Sequence, residues 1–183
     1  KKKIIITFDD GYKNLIENAL PILKKLNFTA ICFFVSNHIG KYNFWDEKKK
    51  NFSKLKLMSQ KDIKNWLNNN MSIGSHTSDH YNLKNISEKE KIKQISEPKL
   101  FFKKYFNVNV NYFSYPFGQY DDSSINTVKK YYKYAVTTKR SRYKKNAFDF
   151  YLLPRVAVNK NDGMIKFYLK IKTIYEDIKF NEN

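Results

Sequence analysis

Six short apolar runs, separated by stretches of helical spacing, constrain this chain more than any other feature. They cover residues 4–8, 29–35, 71–74, 112–115, 134–138 and 152–158. Short apolar runs of this kind read as buried strands, and their alternation with helices favours parallel pairing through crossover connections. Leu15, Ile16, Ala19, Leu20, Leu23 and Leu26 mark the first helix, with Pro21 pointing to a start near Asn18. Ser59 caps a second helix that Asn68-Asn69-Asn70 ends. Ser87, with Glu90 three residues on, predicts a capping box for a third helix over 87–105, which Pro98 would bend or divide. Asp121 to Ser124 caps a fourth helix to Tyr131, and residues 163–180 read as one closing helix. Residues 37–56 carry no clean period and read as a polar-aromatic surface loop, with His38 a loop residue rather than a ligand. Residues 141–149 read as a basic loop. An α/β barrel and an open α/β sheet both gather sites at the strand carboxyl ends, and the local pattern does not separate them.

At 183 residues, with 42% apolar and 17% aromatic side chains, the chain suits one packed domain over residues 1–183. The single cysteine, Cys32, lies in an apolar run and reads as core. A net charge of +18 fits a lysine-rich solvated surface or peripheral contact with an anionic envelope. No basic helix, zinc knuckle or RNA-binding signature accompanies that charge, so nucleic acid is not the expected partner. No run reaches the length of a membrane span, and no signal peptide is visible. Lys1-Lys2-Lys3 stands directly before the first strand without an initiator Met, as in an excised fragment.

Chemistry concentrates at two strand ends. Gly74 to His80 reads Gly-Ser-His-Thr-Ser-Asp-His and holds two of the three histidines, His76 and His80. On a helical turn that spacing would place both rings on one face, able to grip one divalent ion, with zinc favoured by imidazole. Asp9 and Asp10, at the end of the first run, supply carboxylates that point in different directions. With Asp10, His76 and His80 as ligands, one coordination position stays open for water, and Asp9 is left to accept its proton.

Thr7-Phe8-Asp9-Asp10-Gly11, Ser75-His76-Thr77-Ser78-Asp79-His80 and Phe113-Ser114-Tyr115-Pro116-Phe117-Gly118 resemble, in order and spacing, the first three motifs of the polysaccharide deacetylases. This is the NodB-homology group, carbohydrate esterase family four. The resemblance covers nearly the whole chain. It implies a distorted, TIM-like (β/α) barrel, often seven-stranded, and metal-dependent removal of acetyl groups from sugars. It makes Asp9 the catalytic base, and Asp10, His76 and His80 the ligands of a divalent metal, zinc first, with cobalt or nickel as alternatives. Tyr115, Pro116 and Phe117 become the substrate wall, with the Phe117 N–H facing the oxyanion.

Two positions depart from that pattern. The third motif usually opens with arginine, where this chain has Ser114; the last motif usually supplies an acidic histidine, and none follows His80. Arg155, in the apolar run Leu-Leu-Pro-Arg-Val-Ala-Val, is expected to enter the site and pair with Asp9. The Phe-Ser-Tyr-Pro-Phe-Gly and Leu-Pro-Arg-Val versions resemble the branch acting on poly-N-acetylglucosamine. Absence of a general acid, commonly worth about 10²–10⁴ in rate, predicts a slow enzyme. The expected activity is therefore N-deacetylation of an N-acetylglucosamine-type polysaccharide by a monomer at the cell envelope, periplasmic or extracellular. A non-catalytic metal-containing glycan binder is the alternative, and a salt-dependent electrostatic binder the third.

Overall fold

Six strands form one sheet in the computed structural model, which describes residues 4–144 and 149–180. They are β1 (Ile6–Phe8), β2 (Ala30–Phe34), β3 (Ser72–Ser75), β4 (Tyr112–Ser114), β5 (Tyr134–Arg140) and β6 (Leu153–Arg155). All pair in parallel with their neighbours in chain order. A doubly wound open sheet would reverse that order at a switch point; a barrel winds without reversal. β1 and β6 do not pair, yet Arg155 Nη1 on β6 lies 3.4 Å from Thr7 Oγ1 on β1. The sheet therefore curls until its edges face each other, as an incomplete barrel. The expected seventh strand is not found among the described residues, and the last strand is shorter than the run 152–158. The N-terminal lysines and part of the basic loop 141–149 lie outside the described residues.

The helices are α1 (Leu20–Lys25), α2 (Gln60–Asn68), α3 (Glu88–Phe106), α4 (Asp122–Tyr131), α5 (Met164–Lys172) and α6 (Tyr175–Lys179). Pro21 is the second residue of α1, after a wide turn Leu15–Ala19 in which Leu20 N–H reaches back to Leu15 C=O. Reciprocal capping boxes open α2 (Ser59 with Asp62) and α4 (Asp121 with Ser124). At α3 only half of the expected box forms. Ser87 Oγ accepts from Glu90 N–H, while the Glu90 carboxylate takes a hydrogen bond from Gln94 Nε2 at 3.0 Å. α3 continues through Pro98 without dividing.

The expected closing helix is two helices, parted at Thr173. The Thr173 hydroxyl donates to Leu169 C=O at 2.6 Å and accepts from Tyr175 N–H at 3.1 Å. This break swings Glu176 back toward the sheet, where Arg140 Nε and Nη2 each bond it at 3.0 Å and the buried Lys170 ammonium lies 3.5 Å away. Cys32, Phe34, Ile73, Phe113 and Ala135 from the strands meet Ile63, Trp66, Ile95, Phe102 and Val128 from the helices, all nearly excluded from water. Burial of this kind is worth about 1.5–3 kcal/mol per large apolar side chain. It gives the strand ends a rigid base.

Candidate active site and metal centre

Each expected site residue sits at or just past a strand's carboxyl end. Asp9 and Asp10 follow β1, His76 follows β3, Ser114 ends β4 with Tyr115 to Phe117 after it, and Arg155 ends β6. The backbone there is unusual. Asp10, Thr77, His80 and Phe117 all take left-handed φ values of 71°, 67°, 60° and 58°. For residues with a Cβ such conformations carry strain that surrounding structure must hold, and they gather at functional sites.

Thr77 and His80 correct the expectation of a helical turn. Residues 76–80 are not helical; the chain leaves β3, reverses at Thr77, and returns His80 to face His76. His80 N–H donates to Thr77 Oγ1 at 2.9 Å, closing the loop. Gln94, fully buried on α3, braces it from outside: its carbonyls and amide bond Ser78 N–H, Asp79 N–H and the Asp79 carboxylate at 3.1, 2.8 and 2.7 Å. In sequence Gln94 is one more polar residue on a helix, and only its burial reveals the role.

Asp10 Oδ1 lies 3.4 Å from His76 Nε2 and 3.3 Å from His80 Nε2. One ligand atom from each of the three residues falls within 4.8 Å of the others. Asp10 Oδ1 is itself buried, and no hydrogen bond satisfies it among the described residues. His76 Nδ1 is 2.7 Å from the Ser114 carbonyl, which assigns the proton to Nδ1 and leaves the Nε2 lone pair aimed inward. Burial, and then the neighbouring His80, push the His76 pKa below its ordinary value. An orphaned carboxylate oxygen beside two imidazoles is a donor set that fits a divalent cation of zinc's class.

Asp9 points elsewhere. Arg155 Nη1 and Nη2 bond its Oδ1 and Oδ2 at 2.8 and 2.7 Å, a two-pronged fork. Ser114 Oγ lies 3.5 Å from Asp9 Oδ2 and 3.4 Å from Arg155 Nη2. Burial alone would raise the Asp9 pKa, but the Arg155 hydrogen bonds and the nearby imidazoles and guanidinium outweigh it, so the carboxyl sits below its ordinary 3.8. Asp9 is thus an ionised carboxylate beside the Asp10–His76–His80 cluster and not part of it.

Of the expected wall residues, Tyr115 and Pro116 have buried side chains, and Phe117 alone presents its ring to solvent. His38 stays out of the cluster, its Nε2 3.5 Å from Asp79 Oδ1. The 37–56 segment is a tied flap rather than a loose loop. Asn37 N–H donates to Ser78 C=O at 3.0 Å, Lys13 N–H to Lys56 C=O at 2.9 Å and Met58 N–H to Gly11 C=O at 2.8 Å. Trp45, near its tip, stacks on His80 with ring centres 4.6 Å apart.

Comparison with known proteins gives a consistent outcome. A family model described as polysaccharide deacetylase matches residues 1–136. The poly-beta-1,6-N-acetyl-D-glucosamine N-deacetylase of Staphylococcus aureus is 29% identical over 169 residues, covering 87% of this chain and 55% of that protein. Among solved structures, a polysaccharide deacetylase from Bacillus cereus superposes with a TM-score of 0.77 at 26% identity, over 92% of this chain and 51% of that one. The Streptococcus pyogenes deacetylase PplD, in complex with acetate, shares the fold with a TM-score of 0.78 at 23% identity, over 94% of this chain and 72% of that one. The chain spans about half the length of the curated relatives it matches.

Proposed function

The chain belongs to the polysaccharide deacetylase family, and from that premise we propose that it is a metal-dependent hydrolase, one domain over 1–183, that removes N-acetyl groups from an N-acetylglucosamine-type polysaccharide. The observation that carries this reading is the ionised Asp9 lying beside, and outside, the Asp10–His76–His80 donor set. One carboxylate is free for proton transfer while another is committed to holding charge.

Asp10, His76 and His80 would hold the ion, with zinc the best match to two imidazoles and one carboxylate. When bound, such an ion supplies Lewis-acid polarisation of the acetyl carbonyl and a more acidic water. The chain's own groups do the rest. Asp9 accepts the proton of the attacking water at a carboxylate oxygen. Arg155 keeps Asp9 ionised and fixes its orientation through the two-pronged fork. On this reading the Phe117 N–H donates to the oxygen that becomes negative, and the Phe117 ring, with the Tyr115 and Pro116 backbone, walls the sugar. The proton for the departing amine has no histidine to come from, because His38, His76 and His80 are the chain's only three and none is free at the site. Slow turnover follows.

The substrate assignment draws support from the activity for which the S. aureus relative is named. Action at the envelope or outside the cell follows from that substrate, and the charge of +18 suits an anionic surface. No helix among the described residues is long and apolar enough to cross a membrane. The test is acetate release from β-1,6-linked N-acetylglucosamine oligomers by the purified chain. Release should vanish on chelation, return with zinc, cobalt or nickel, and be lost in Asp9→Asn. Zinc binding without any acetate release would favour a non-catalytic glycan binder.

A further inference from the structure

His76 and His80 are oriented by different forces. His76 is aimed by a hydrogen bond from Nδ1 to the Ser114 carbonyl at 2.7 Å. His80 points Nε2 at Asp10 in the same way, but its Nδ1 is buried and meets no hydrogen-bond partner among the described residues. A ligating imidazole almost always has its second nitrogen hydrogen-bonded, because that bond fixes the rotation of the ring. Something else must fix His80.

Three rings do so. Trp45 lies nearly flat on the imidazole, with centroids 4.6 Å apart and planes at 22°. Phe117 and His76 meet it edge-on at 4.6 and 4.7 Å. The indole is itself held. It stands on a tight turn, Phe44–Asp46, and the His38 ring meets it at 85° and 5.4 Å. Before the turn, buried Asn43 acts as a clip. Its Oδ1 accepts from Leu55 N–H at 2.7 Å and its Nδ2 donates to Ser53 C=O at 3.2 Å. Asn43 thus closes the segment that carries Trp45 on itself. The ends of that segment are tied to the two loops that carry the donor set, through Asn37 N–H to Ser78 C=O at 3.0 Å and Met58 N–H to Gly11 C=O at 2.8 Å.

We infer that Trp45 is a positioning residue of the metal site, whose indole face replaces a hydrogen-bond acceptor in setting the orientation of His80. The inference rests on reading Asp10, His76 and His80 as metal ligands. An imidazole that shares its lone pair with a cation is electron-poor, and a parallel, electron-rich indole attracts it. Stacking also shields the ring from water without needing a polar partner for Nδ1.

The experiment is zinc affinity, by competition with a chromogenic chelator, together with the visible spectrum of the cobalt-loaded protein. Trp45→Ala should bind zinc about 10- to 100-fold more weakly and shift the cobalt bands. Trp45→Leu keeps apolar volume without a flat π face and should lose affinity similarly. Trp45→Phe should recover to within about threefold of the parent. Phe44→Ala, which disturbs the same turn on its exposed side, should remain within about twofold. Leu and Ala variants that bind as tightly as the parent, or a Phe variant as weak as Ala, overturn the stacking role. A parent protein that binds no zinc overturns the metal reading instead, and the two failures are distinguishable.

Discussion

Arg155, at the end of the last strand, grips Asp9, just past the end of the first, through bonds of 2.8 and 2.7 Å. One ion pair thus spans the seam where β1 and β6 face each other without pairing. The position where the family usually has its motif arginine holds Ser114, fully buried, whose small side chain leaves room for a guanidinium arriving from the opposite edge. On the proposed reading, Arg155 brings to Asp9 from another strand the charge that the motif arginine would carry.

Removing that fork should affect turnover more than binding. Arg155→Ala is expected to lower kcat for acetate release by about 10²-fold with a smaller change in KM, since Asp9 loses its orientation as a base. Arg155→Lys should recover little, because an ammonium cannot form the planar two-pronged contact. Steady-state kinetics on oligosaccharides check both variants, and unchanged turnover in the alanine form would end the assignment.

A bound ion should stabilise the fold as well as activate it. With zinc at 100 times its Kd, binding to the native state alone adds about 2.7 kcal/mol. For a domain of this size that raises Tm by about 5–10 °C. Asp10→Ala should abolish the shift, because the orphaned Oδ1 is the anionic member of the donor set. Thermal melts with zinc and with chelator measure it directly.

Much of this arrangement was legible because its signals are local. Alternating apolar runs mark six strands, and a carboxylate pair and a histidine pair at strand ends mark where chemistry gathers. Arg155 stood out because a guanidinium among apolar residues needs a partner. What escaped depends on contacts distant in sequence. The four-residue spacing of His76 and His80 suggests a helical turn, whereas left-handed Thr77 and His80 achieve the same juxtaposition. Trp45 lies in a segment with no period, and its contact with His80 exists only once Asn43 and the Gly11–Met58 hydrogen bond have pinned the flap. Thr173 breaks the last helix because Glu176 gains Arg140 and Lys170 as partners, which no helical period records.

Acid should loosen the contact between α3 and α4. Lys91, 2% exposed, donates to Asp121 at 2.8 Å and to Glu88 at 2.8 Å. Burial would raise the Asp121 pKa, but the Lys91 bond and those from Ser124 hold it below the ordinary 3.8. Burial works against the Lys91 charge too, and its two carboxylate partners more than offset this. A carboxylate whose folded pKa is depressed contributes stability that is complete above its ordinary value and is lost as pH falls through the folded value. Urea midpoints should therefore decline below about pH 4, and Asp121→Asn should be less stable at neutral pH with a flatter decline.

Gly118 links the Phe117 turn to β5 more tightly than any side chain could. Its φ is +65°, and a Cβ there would sit 1.9 Å from Thr138 Oγ1, 2.8 Å from Thr138 Cβ and 2.9 Å from Thr138 Cγ2. Rotating the Thr138 hydroxyl would relieve the first overlap, but the Cβ contact would persist in any rotamer. Gly118→Ala therefore incurs about 1–2 kcal/mol for the left-handed backbone and a further ~1–3 kcal/mol for the overlap. Relaxation would displace Phe117, the immediate neighbour whose edge meets His80, so zinc affinity should fall along with stability. Adding Thr138→Ala removes the Oγ1 and Cγ2 overlaps and leaves the backbone cost and the 2.8 Å Cβ contact, so the double variant should regain only part of the loss. Urea denaturation of the metal-free protein, followed by zinc titration, separates the two effects. A Gly118→Ala protein as stable as the parent would mean that this turn is free to move, and an unchanged zinc affinity would mean that Phe117 does not hold His80 in place.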